Sequence, residues 1–158
     1  MKRILSILLE NESGALSRVV GLFSQRGYNI ESLTVAPTAD SSLSHINIQT
    51  IGNDQIIKKI EKQLHKLINV LKVIEIGNID HIEREIMLIK INSTNSNIEK
   101  IKKHTDMFQG HIIYTDSNIH IIQISGSSDQ TNTFLNLINN ITNITEVSRS
   151  GIIGMSKI

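Results

Sequence analysis

Two hydrophobic periods alternate along this chain. From Arg3 to Leu9 the apolar residues Ile4, Leu5, Ile7, Leu8 and Leu9 crowd together as in a core strand. A short polar loop, Asn11-Glu12-Ser13-Gly14, leads into a helix expected over 14–26, where Leu16, Val19, Val20 and Phe23 recur at i, i+3, i+4 and i+7 as a buried face. Gly27 ends that helix, since a residue without Cβ takes positive φ readily, and a strand over 29–37 returns from it. Pro37 and the cluster Thr38-Ala39-Asp40-Ser41-Ser42 read as a turn. From Ile46 to Ile51 apolar and polar residues alternate, the mark of a half-buried strand. Gly52-Asn53-Asp54 opens a second helix, with Asn53 or Asp54 as its N-cap. Ile56, Ile57, Ile60, Leu64, Leu67 and Ile68 form its expected stripe, and Val70 to Ile76 is a further strand. The order is β-α-β-β-α-β.

After a linker at Gly77-Asn78-Ile79-Asp80-His81-Ile82 the pattern repeats. A strand is expected from Arg84 to Ile91, a helix from near Ser96, and strands over Gly110–Thr115 and Ile119–Ser125. A helix after Gly126-Ser127-Ser128 carries Phe134, Leu135, Ile138 and Ile141, and Ile144–Arg149 is the last strand. The predicted class is α+β: two ferredoxin-like βαββαβ domains in tandem, residues 1–77 and 78–158, each an antiparallel four-stranded sheet with two helices on one face. The halves share topology and little residue identity. Domains this small gain stability by pairing with another copy.

Composition narrows the function. The 158 residues are 39% hydrophobic and only 3% aromatic, and roughly a fifth are Ile, a bias that reads as codon usage before structural demand. With 16 basic and 15 acidic residues the net charge is +1, so no large field exists for nucleic acid or an anionic membrane. The strand Ile46–Ile51 also lacks the aromatics on which RNA-binding sheets stack bases. Without cysteine there are no disulfides or thiolate zinc sites. Lys2-Arg3 and the apolar run after them resemble a signal peptide, but the run ends at Glu10 and no cleavage-like site follows, so it reads as a core strand. No run reaches membrane-spanning length, and a cytoplasmic location is expected.

Few residues suggest chemistry. His45, His65, His81, His104, His111 and His120 are scattered without metal-ligand spacing. No nucleophile triad, phosphate loop or paired acid and base stands out, so neither catalytic nor metal-binding residues are assigned. The basic run from Lys58 to Lys66 alternates with apolar residues at helical spacing and reads as a solvated helix face. Glu83-Arg84-Glu85 reads as a surface charge cluster. Gly14 is the exception: a glycine at a helix start leaves backbone N–H groups open to a carboxylate or phosphate. It reads equally as a structural glycine, and Asn11 and Asn29 equally as capping and turn residues.

The segment LLENESGALSRVVGLFSQRGYNIESLTVAPT, then LSHINIQT, IEKQLHKLINVLKV and EREIMLIKI, closely resembles the small regulatory subunit family of acetolactate (acetohydroxyacid) synthase. The likeness resumes at FQGHIIYTD and EVSRSGIIGMS, and departs at His45, where relatives carry Arg. The resemblance implies that the first domain is an ACT domain, an amino-acid-binding module. It implies a non-catalytic chain, with no cofactor of its own, that activates a large subunit carrying thiamine diphosphate, Mg2+ and FAD. It further implies feedback inhibition by L-valine in isoleucine and valine biosynthesis, and a homodimer paired through its ACT domains. An ACT-type sensor serving a different biosynthetic enzyme is the alternative.

Under that resemblance the effector site comprises Asn11, Gly14, Ala15, Leu16, Asn29, Ile30 and Val35. Backbone N–H groups around Gly14, Ala15 and Leu16 suit the carboxylate. Asn11 and Asn29 offer carbonyl oxygens to the ammonium and amide donors to the carboxylate. Ile30 and Val35, with Leu9, surround the isopropyl group, whose burial is worth roughly 1.5–2 kcal/mol. In the family the site lies between paired ACT domains, with Asn29 reaching in from the partner chain.

Overall fold

The computed structural model describes residues 1–158. Along the chain run β1 (Lys2–Glu10), α1 (Ala15–Gln25), β2 (Ile30–Pro37), β3 (Leu43–Ile51), α2 (Asp54–Leu64) and β4 (Val70–Glu75). Then follow β5 (His81–Asn92), α3 (Asn95–Met107), β6 (His111–Asp116), β7 (Ile119–Gly126), α4 (Ser128–Ile141), β8 (Asn143–Arg149) and β9 (Ile153–Ser156). Two compact units result: Met1–Ile82 together with Ile152–Ile158, and Glu83–Gly151. Both are ferredoxin-like βαββαβ domains, with antiparallel sheets ordered β2-β3-β1-β4 and β6-β7-β5-β8.

In the first unit Leu5, Ile7 and Leu9 of β1 and Ile46 and Ile48 of β3 meet Val19 and Phe23 of α1 and Ile57, Ile60 and Leu64 of α2. The buried stripe of α1 is Ala15, Val19 and Phe23, while Leu16 and Val20 are exposed. The expected face was thus centred one position off: Leu16 and Val20 sit on a flank of the helix and are 37% and 38% exposed. Gly27 adopts φ +69° and ends the helix as expected. Asn53 caps α2, its side chain accepting from Ile56 N–H at 2.9 Å. That helix stops at Leu64, so Ile68 falls outside the stripe assigned to it and is exposed.

The outer face of the first sheet is partly covered by the end of the chain. Ile152 is buried against Ile4 and Ile76. Thr34 Oγ1 donates to the Ile152 carbonyl at 3.2 Å, and Gly154 N–H donates to Asn47 Oδ1 at 3.2 Å. A Cβ at Gly154 would overlap the Ile76 side chain, so the close approach requires glycine. This covering is why β3, expected to be half-buried, is buried at Asn47 as well as at Ile46 and Ile48. β9 itself was not anticipated.

The second unit builds its core from Met87, Ile89 and Ile91 of β5, Ile122 and Ile124 of β7, Ile101 of α3, and Phe134 and Ile138 of α4. Phe108 and Phe134 meet edge to face, ring centroids 5.3 Å apart. Glu85 corrects the surface reading of its charge cluster. It is buried, paired with Arg149, and accepts from the Thr131 hydroxyl. The ion pair joins β5 to β8 and the hydroxyl ties in α4, which satisfies a carboxylate that could not stay charged alone in that position.

Candidate functional site

The first βα turn is held on both sides. Asn11 N–H donates to the Ser42 carbonyl at 2.8 Å, and Asn11 Nδ2 donates to the Ser41 carbonyl at 3.0 Å, leaving Oδ1 open as an acceptor. Beneath it lies Asn69, a buried side chain whose Nδ2 donates to Glu10 at 3.2 Å and Glu12 at 3.3 Å. Asn69 also returns its backbone carbonyl to Glu10 N–H at 2.9 Å. The loop therefore has a fixed shape before any ligand arrives.

Gly14 is the N-cap of α1 at φ 85°, ψ −8°, a left-handed conformation that strains any residue with a Cβ, and it makes no side-chain cap. Ala15 N–H is committed to the Glu12 carbonyl at 3.2 Å. The next two N–H groups, those of Leu16 and Ser17, are orphans of the first helical turn. Ala15 itself packs into the core, and Leu16 projects its side chain outward. The positive end of the helix thus faces open space where a carboxylate fits. Arg18, one turn on, brings its guanidinium to within 3.7 Å of the position a Gly14 Cβ would occupy.

Asn29 and Ile30 lie elsewhere. Ile30 pairs with Thr50, which pairs with Arg3, whereas Pro37 pairs with Ser44, which pairs with Leu9. The Asn29 end of β2 is therefore at the opposite end of the sheet from the Gly14 turn, roughly 20 Å away at the usual strand rise. Asn29 Nδ2 donates to Glu31 at 2.5 Å, and its carbonyl accepts from Thr50 Oγ1 at 2.6 Å. Val35 is 43% exposed on the edge strand, and Ile30 is half-buried against the core. Leu9 belongs wholly to the core and offers nothing to a ligand. Within one chain Asn11, Gly14, Ala15 and Leu16 come together; Asn29 and Ile30 do not join them.

Sequence reading missed two residues of this turn. Arg18 had a signal, its i+4 spacing from Gly14, since helical side chains lean toward the N-terminus. Asn69 had none, because its role arises from long-range packing. No three His, Asp or Glu side chains are grouped to hold a metal ion, and no helix is long and apolar enough to cross a membrane.

Comparison with known proteins bears on the whole chain. Residues 5–72 match the family described as AHAS small subunit-like ACT domain, and residues 84–158 match the family described as small subunit of acetolactate synthase. The acetolactate synthase small subunit of Buchnera aphidicola subsp. Baizongia pistaciae is 61% identical over 155 residues, covering 98% of each chain. The acetolactate synthase isozyme 3 small subunit of Escherichia coli K12 is 54% identical, covering 99% of this chain and 96% of that one. The crystal structure of the small subunit from Thermotoga maritima superimposes with a TM-score of 0.90 at 33% identity, covering 100% of this chain and 98% of that one.

Proposed function

This chain belongs to the acetolactate synthase small-subunit family, and on that premise we propose that it activates a catalytic large subunit and renders it sensitive to L-valine. The chemistry, with its thiamine diphosphate, Mg2+ and FAD, resides in the large subunit in the cytoplasm. This chain contributes binding and coupling. The observation that carries the sensor role is the uncapped start of α1: Gly14 at positive φ, with the Leu16 and Ser17 N–H groups unpaired. A carboxylate there is stabilised by the helix dipole, and Asn11 Oδ1 accepts from the ammonium.

The remaining recognition comes from a second copy. β2 is an edge strand. Pairing it antiparallel with its twin about a two-fold axis brings the Asn29 end of one strand beside the Pro37 end of the other, and so toward the other's Gly14 turn. The exposed apolar side chains Leu16, Val20 and Val35 supply cover for such a dimer and for an isopropyl group. An effector held by two protomers favours one arrangement of the dimer, and a coupling of about 1–3 kcal/mol suffices for feedback.

The test is acetolactate formation by the large subunit with and without this chain across a valine titration. Stimulation reversed by valine is the expected result. Stimulation indifferent to valine discards the sensor role, and no stimulation discards the partner. Gly14→Asp places a carboxylate where the effector's belongs, beside Arg18, and is expected to abolish valine inhibition while activation persists. Unchanged valine sensitivity in that variant would remove the turn from contention.

A further inference from the structure

The two flanks of α1 differ in kind. One carries the apolar Leu16 and Val20. The other turns toward α2 and forms with it an open groove of about 460 Å3, lined by Arg18, Arg26 and Lys66 among Leu22, Gln63 and Leu67. No carboxylate lines it. Its two arginines are held by neutral side-chain amides. Arg18 donates to Asn69 Oδ1 at 2.5 Å and Arg26 to Gln63 Oε1 at 3.2 Å. Amide oxygens orient a guanidinium and leave its charge intact. Arg3, Arg149, Lys90 and Lys157 are instead paired with carboxylates, of Glu75 and Asp54, Glu85, Glu146 and Asp80 respectively.

We propose that the α1/α2 groove is a docking surface for an acidic segment of the catalytic large subunit, a proposal that rests on the function argued above. The spacing selects a protein segment over a small anion. Arg18 and Arg26 stand two helical turns apart, about 12 Å along the axis at the backbone, and each guanidinium is held at a different amide, Asn69 and Gln63, so the two do not converge on one phosphate or carboxylate. A segment bearing several Asp or Glu side chains spans that distance, with Leu22 and Leu67 under its apolar parts. Gly21 leaves the groove wall open, since a Cβ there would meet nothing within 4 Å. Arg18 closes one end of the groove and stands over Gly14, so the docking surface and the effector turn share a side chain. Effector binding is thereby felt at the interface.

The experiment titrates the full chain, as wild type and as R26E/K66E, into the large subunit at low and high salt, following activity and, by sedimentation, complex formation. R26E/K66E is expected to raise the concentration for half-maximal activation at least tenfold at low salt, with the gap closing as ionic strength rises. Charge-preserving R26K/K66R is expected to behave as wild type, and valine binding to the isolated variants to stay unchanged. Should R26E/K66E fail to fold, Gly21→Glu probes the same wall from a position where a Cβ meets nothing within 4 Å, and is expected to weaken association likewise. A folded variant that associates and activates at wild-type concentrations overturns the groove alone. So does a variant that loses activation while its complex forms undiminished. A wild-type chain that neither binds nor activates the large subunit instead fells the proposed function, and this surface with it.

Discussion

The two units share a topology and a core of Ile and Phe, yet they begin their first helices differently. In the first unit α1 starts at Gly14, left-handed and without a side-chain cap. In the second, α3 starts at Thr94 in extended conformation, its hydroxyl engaged with Ser96 Oγ at 3.0 Å and its carbonyl taken by Asn97 N–H at 3.1 Å. α4, by contrast, is closed by a capping box between Ser127 and Gln130. One fold therefore supports a left-handed glycine start at α1, an extended threonine start at α3 that also lacks a side-chain cap, and a closed start at α4. The binding device belongs to the turn, and the fold only presents it.

Each copy holds a buried ion pair, but in the first it is the cation that lies deepest, Arg3 with Glu75 and Asp54, and in the second the anion. The second unit uses Glu85 and Arg149 as an internal tie, with the Glu85 side chain 3% exposed and that of Arg149 35% exposed. Glu85→Ala breaks the tie and strands the arginine. Because the guanidinium recovers part of its hydration, the expected cost is roughly 3 kcal/mol, the low end for a broken buried pair. Urea denaturation of the full chain followed by circular dichroism measures it, and valine binding by the first unit is expected to persist. A loss under about 1 kcal/mol would place the pair with ordinary surface bridges and remove this half of the contrast.

How much of this was legible beforehand depended on whether the cause was local. Element order and most boundaries follow from hydrophobic period, turn residues and caps, and Gly27 and Asn53 took the conformations their positions suggested. What failed was set at a distance. Leu16 and Val20 carry the right spacing for burial, but α1 turns Ala15, Val19 and Phe23 inward, and nothing local distinguishes the two stripes. Glu85 looked exposed because its partners Arg149 and Thr131 lie far along the chain. β9, a short strand beginning at Ile153 beside glycines, has no period to read, and its position is set by Ser32, Thr34 and Asn47 of the first sheet. At the candidate site the residues of the loop were visible in sequence. The distance from that loop to Asn29 was not, since it follows from sheet register.

The contrast between the two helix starts can be sharpened by exchanging their residues. Gly14→Ala forces a Cβ into a conformation at φ 85°, at a cost of about 1 kcal/mol. Thr94→Gly, at φ −76° and without a side-chain cap to lose, is expected to cost only a few tenths of a kcal/mol. Thermal unfolding of both variants measures the difference. Equal costs would mean that the Gly14 conformation is incidental to the turn.

The smallest expected effect concerns the outer face of the first sheet, where His45 is half-buried in a hollow of about 220 Å3 shared with Lys72. Its Nε2 is bonded to Ser6 Oγ at 2.6 Å. Burial pushes the imidazole below its ordinary pKa of 6.5. A histidine with a lowered folded-state pKa takes up its proton more readily when unfolded, so the unfolded state binds more protons in the window between the two values. The first unit is therefore expected to lose stability as pH falls below about 6.5, until the folded-state pKa is passed. His45→Gln keeps a hydrogen-bonding group near Ser6 and removes the titration, so its unfolding midpoint is expected to vary less between pH 7 and 5 than that of wild type. Hydrogen exchange confined to the amides of β1 and β3 would localise the change to the first sheet. Parallel pH profiles in the two proteins would mean that the acid response arises in the carboxylates common to both units, and the outer face would then carry no part of the contrast.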